Sequence, residues 1–135
     1  MTAYRKLLPI AILGLVLAGP AQSGPRQIYS CAVLEFTSSD RGHAGFAAAN
    51  AGKVFQIEDH GDSLMSYSNG PGFSEGALVF NVVRRSKSVL AGAGQDQYVA
   101  RSLTVFFGDH QIEAELSLSG GFGANTWKLA CGLTS

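Results

Sequence analysis

Cysteine is scarce in this chain. Its 135 residues hold two, Cys31 and Cys131, and no Cys-x-x-Cys pair that would suggest a redox centre. Catalytic signatures are missing too. There is no Gly-x-Ser-x-Gly elbow for a hydrolase nucleophile. Asn69-Gly70-Pro71-Gly72 is turn chemistry rather than a phosphate loop, since no helix follows it and no Lys is placed to meet a phosphate. These absences favour no enzyme class, and neither a cofactor nor a metal is expected. No internal repeat and no low-complexity linker divides the chain.

Long hydrophobic runs are confined to the start. Residues 1–23 read as a secretory signal: Arg5 and Lys6, then an apolar run from Leu7 to Ala18, then the small-residue pattern Ala21-Gln22-Ser23. Cleavage is expected before Gly24. A membrane span needs about 20 apolar residues, and Pro9, Gly14, Gly19 and Pro20 interrupt or bound the run of about 12. The expectation is therefore one exported domain over 24–135, with no membrane span after cleavage, in a bacterial periplasm or secreted. Arg5 and Lys6 leave with the signal, so 8 of the 10 basic residues remain against 10 acidic ones, a net charge of −2. No basic stripe is left, which argues against nucleic acid and anionic lipid as partners.

Export turns the two cysteines into a structural statement. In an oxidising compartment such a pair is expected to be a disulfide. Cys31 and Cys131 lie 100 residues apart, tying the first segment of the domain to the last.

What fills the chain between them is alternation. Val99, Leu103, Val105 and Phe107 share one face, and Ile112, Ala114, Leu116 and Leu118 alternate with Gln111, Glu113, Glu115 and Ser117. That is a period of two with one wet face, on both sides of a hairpin turn at Gly108-Asp109. The same reading outward gives eight strands, near 27–36, 53–58, 63–68, 77–84, 88–92, 98–107, 111–118 and 126–133. The long connection 37–52 contains Phe46-Ala47-Ala48-Ala49-Asn50, a possible helical turn. The fold class expected is all-β: a small antiparallel up-and-down barrel closed by one disulfide, with a two-sheet sandwich as the alternative. One conflict stands in the first strand. Cys31 shares a face with Tyr29 and Val33, whereas Phe36 lies opposite with Ile28, Ala32 and Leu34, so a bulge or slip is needed.

In such a meander the connections after strands one, three, five and seven emerge at one rim. Three carry a Gly-Phe pair, Gly45-Phe46, Gly72-Phe73 and Gly121-Phe122. Phe46, Phe73 and Phe122 could form an apolar lip that binds a small apolar ligand or an envelope protein, or a plug that fills the mouth. Arg41 and His43 in the long loop are further candidates for partner contact. The opposite rim carries Asp59, His60 and Asp62, then Arg84, Arg85 and Lys87, then Asp109 and His110. A zinc site there would need the two histidines to converge, and their hairpins sit on opposite sides of an eight-stranded barrel. Arg84-Arg85-Ser86-Lys87 reads as a solvated turn, and Glu113 and Glu115 as a solvated face rather than a glycosidase pair. Trp127 alternates with Leu129 and is expected in the core.

The plan resembles the small envelope β-barrel proteins that inhibit C-type lysozyme, which have an aromatic-x-Cys near the start, like Tyr29-Ser30-Cys31, and a Cys near the end, like Cys131. The Ser-Gly-x-Arg-Tyr and Trp-x-Lys-Gly segments of that family are absent, so no inhibitory residue carries over. The functional expectation is a non-enzymatic binding module of the envelope. The alternatives are a periplasmic inhibitor of a lysozyme- or protease-type enzyme, acting through the long first loop, and a structural envelope protein.

Overall fold

Strict alternation lets a sheet bury one face, and eight such strands in sequence can bury it only by curling the sheet round on itself. The computed structural model describes residues 24–39, 44–69, 77–121 and 123–134. It shows β1 (Gln27–Ser38), a short helix α1 (Ala44–Ala51), then β2 (Val54–Asp59), β3 (Ser63–Asn69), β4 (Leu78–Arg85), β5 (Val89–Gln95), β6 (Val99–Phe107), β7 (Ile112–Gly120) and β8 (Gly123–Thr134). Every neighbour pairs antiparallel, and β1 pairs with β8 to close the barrel. Closure rules out the sandwich and leaves no open sheet edge. Cys31 and Cys131 are direct partners across the closing seam and form the disulfide.

The first-strand conflict is resolved by a β-bulge. Between Val33 and Glu35 the register against β8 shifts, so Tyr29 and Cys31 face inward before it and Phe36 packs on the core after it. Leu34, the extra residue, is left outside and 62% exposed. A second bulge, between Val82 and Arg84, does the same in β4. It points Arg85 rather than Arg84 toward the barrel end, since Arg85 pairs with the inward Leu90.

The connections are mostly as short as a hairpin allows. His60 N–H donates to the Ser63 carbonyl around Gly61-Asp62, where Gly61 supplies the positive φ of 95°. The β6–β7 turn departs from expectation by one residue. Gly108 N–H donates to the Gln111 carbonyl, so Asp109-His110 forms the loop and Gly108 belongs to the paired part. The long connections follow β1 and β3, at the same rim and on adjacent hairpins.

Among the described residues the interior is filled by one cluster of buried side chains. Ile57, Leu64, Phe80, Leu103 and Val105 are fully buried at its centre. The packing is close enough to dictate a glycine in β5. A Cβ on Gly92 would stand 2.8 Å from Phe80 Cβ and 3.2 Å from Leu64 Cδ1. Gly92→Ala is therefore expected to lose about 1–2 kcal/mol, the ordinary cost of overpacking a tight core. A lower urea midpoint at unchanged m-value would show it. The outer wall is mixed, with Gln56, Glu58, Glu113, Glu115 and Lys128 on outward positions. An apolar interior and a charged wall are the reverse of a lipid-facing barrel. Among the described residues no helix is long and apolar enough to cross a membrane.

Candidate functional site

The rim that carries the connections after β1, β3, β5 and β7 is where sequence reasoning placed a site. Of its candidates, Arg41, His43, Phe73 and Phe122 lie outside the described residues. Phe46 is described, and it faces inward. It sits on α1, whose inner face is set by helical spacing: Phe46 and Ala49 are half-buried and Asn50 is buried. Asn50 Nδ2 donates to the Phe46 carbonyl one turn back, and Gly52 N–H to Ala48 at the helix end. The Phe46 ring meets Phe36 edge-on at 5.8 Å. Phe36 lies 5.1 Å from Trp127, and Trp127 lies 5.8 Å from Phe55. The helix thus extends the core aromatic stack outward over one side of the mouth, with Phe46 half-buried against Phe36.

Two cations reinforce that end. Lys53, only 5% exposed, holds Nζ 5.1 Å from the Trp127 ring centroid and 5.9 Å from that of Phe55. Such cation–π contacts strengthen when water is excluded. Arg101 lies over Phe80 at 5.9 Å, donates from Nε to the Val79 carbonyl and reaches Asp96 at 3.6 Å. It occupies the space beside Gly94, where an added Cβ would come 2.9 Å from Arg101 Nε. Trp127 Nε1 is buried with no hydrogen-bond partner among the described residues.

The opposite end is closed by an ion pair. Asp59, the last residue of β2, is buried, and Arg85 grips it with two bonds of 3.0 and 2.8 Å while also donating to the Gly61 carbonyl at 2.7 Å. Burial pushes the Asp59 carboxyl up, but the Arg85 hydrogen bonds, the Gly61 N–H and the charges of Arg85 and Arg26 outweigh it. They hold Asp59 below the usual carboxylate range. Burial and the Asp59 charge raise the Tyr29 hydroxyl, against Arg85. Arg85 is exposed like Arg84, Ser86 and Lys87, but as the last residue of β4 it is also paired with Asp59. His60 Nε2 lies 2.9 Å from Glu58 Oε1 on the same hairpin. Among the described residues no group of three His, Cys, Asp or Glu is placed to hold a metal ion.

A surface feature that sequence reasoning missed lies on the outer wall. A depression of about 710 Å³ spans β6, β7, β8 and β1, across the disulfide seam. Leu34, raised by the β1 bulge, and Phe106, 44% exposed, form its apolar flanks. Glu35, Glu113, Glu115 and Lys128 line it between them. Across the strands Phe106 pairs with Glu113, Glu115 with Lys128, and Lys128 with Glu35. The parity that buries Leu103 and Val105 already turns Phe106 outward. The bulge and the β1–β8 pairing were the signals needed to bring Leu34 and Glu35 to the same place.

Fold and surface together define a small disulfide-closed, eight-stranded β-barrel with a filled interior and a grooved wall. Comparison with protein families, with curated proteins and with solved structures finds no match. The likeness to lysozyme inhibitors gains no support from these comparisons, and no family is assigned.

Proposed function

We propose that this chain is an exported, non-enzymatic binding module that meets a protein partner on its outer wall. The observation that carries this reading is the filled interior. Ile57, Leu64, Phe80 and Leu103 occupy the centre of the barrel, and α1 with Phe46 packs over one side of its mouth. A small apolar ligand would have to displace these side chains, at a cost of about 1.5–3 kcal/mol for each large one uncovered. The wall offers what the interior does not: a concave surface with Leu34 and Phe106 exposed beside charged groups, the mixture that protein interfaces use. Export is supported by the signal-like residues 1–23 and by a disulfide suited to an oxidising compartment.

The test places a photocrosslinking side chain at Phe106, and in parallel at Val83, which is 68% exposed on β4, away from the depression. Irradiation in the producing cells is expected to give a discrete protein adduct from the first position and none from the second.

A further inference from the structure

We propose that the outer depression takes a cationic extended segment of its partner, a short run in which Lys or Arg adjoins an apolar side chain. This rests on the reading of the wall as a protein-binding face and adds the chemistry of what binds there.

Charge is the first argument. Glu35, Glu113 and Glu115 line the depression against one cation, Lys128. Lys128 Nζ lies 3.8 Å from Glu35 Oε1, and Glu115 stands opposite Lys128 in the strand register. Glu113 is left between Phe106 on one side and Ala130 on the other, and accepts a hydrogen bond from the neutral Gln111 amide. Opposite charges paired across strands are favourable and like charges are not. A partner cation over Glu113 would continue the alternation that Lys128 begins.

Shape and desolvation are the second. Glu113 and Glu115, which line the depression from outward positions, are half-buried. A carboxylate partly withdrawn from water attracts a cation more strongly than a fully solvated one. Phe106 sits beside Glu113, so a guanidinium or ammonium there would feel a carboxylate and an aromatic face together. Leu34, at the far flank, offers apolar contact one strand beyond Lys128. An acidic segment, nucleic acid or an anionic membrane would meet repulsion from the same groups.

The experiment is an amide chemical-shift titration of the disulfide-bonded protein with two capped pentapeptides, Gly-Lys-Leu-Lys-Gly and Gly-Glu-Leu-Glu-Gly. The lysine peptide is expected to shift amides of β6, β7, β8 and β1 and to weaken as salt is added. The glutamate peptide is expected to leave them in place. In the E113Q/E115Q variant, whose spectrum should keep the dispersion of the folded barrel, lysine-peptide affinity should fall about tenfold, the scale of one lost charged contact. Equal binding of both peptides, no shift with the lysine peptide, or unchanged affinity in the variant would overturn the proposal. A protein adduct at Phe106 together with any of these results would leave the wall reading standing and sink the cationic assignment alone.

Discussion

Replacing Cys31 and Cys131 together with alanine is expected to remove about 4–5 kcal/mol of stability while leaving the barrel folded. The bond closes a loop of 100 residues that encloses nearly the whole domain. Opening it frees the unfolded chain, and chain-entropy reasoning gives about 4.7 kcal/mol for a loop of that length. The native state loses less, because the seam is held independently. β1 pairs with β8 on both sides of the bond, from Ile28 with Thr134 to Ser38 with Asn125. The effect therefore falls mainly on the unfolded ensemble. A domain of this size typically has about 5–15 kcal/mol in total, so the variant should sit near the edge of stability. Urea denaturation of the oxidised protein and the double variant measures it, with a midpoint lower by roughly 2 M or more at ordinary m-values. Matching midpoints would mean that the bond constrains nothing that the sheet does not already hold.

Arg85→Ala should cost about 2–3 kcal/mol at neutral pH, and the deficit should shrink in acid. Breaking a buried ion pair costs about 3–5 kcal/mol. The lower figure applies because the Arg85 side chain keeps 37% of its surface in contact with water, whereas the Asp59 side chain keeps 7%. In the parent, the Asp59 carboxyl is held below its ordinary value, so its contribution is present above about pH 4 and is lost as pH falls through the folded value. Without Arg85, burial is opposed only by the Gly61 N–H and the Arg26 charge, so the carboxyl rises from its value in the parent. The variant's deficit then shrinks as pH falls and the carboxyl takes its proton. Asp59→Asn should be milder, since Arg85 can turn to water while Asp59 cannot. Thermal midpoints of parent and variant across pH 3–8 should converge on the acid side. Parallel curves would show that Arg85 contributes packing rather than charge.

Much of this fold could be read from the chain because a period of two needs no partner to be visible. The hairpin of β6 and β7 shows this best. Leu103, Val105, Ala114 and Leu116 are buried as their alternation requires. Trp127 likewise lies in the core, and the Ala-rich stretch around Phe46 forms the short helix. What was not legible depends on which strand lies opposite. The bulge after Val33 exists only in register against β8, 93 or more positions away, and the one after Val82 only against β5. Those two bulges decide that Phe36 turns in, that Leu34 stays out, and that Arg85 rather than Arg84 reaches Asp59. A run of Arg84, Arg85 and Lys87 in sequence gives no hint that one of its members closes a barrel end. The groove escaped for the same reason. Glu113 and Glu115 are a wet face on one strand, and become a lined depression only when β6 and β1 flank them with Phe106 and Leu34.

The central claim, a filled barrel that binds a protein through its wall, is tested most directly by photocrosslinking at Phe106 in the cells that make the protein, with Val83 as the control position. The account predicts one discrete protein adduct at Phe106, absent at Val83 and diminished when Glu113 and Glu115 are both replaced by glutamine. No adduct at either position, or equal labelling at both, would contradict it.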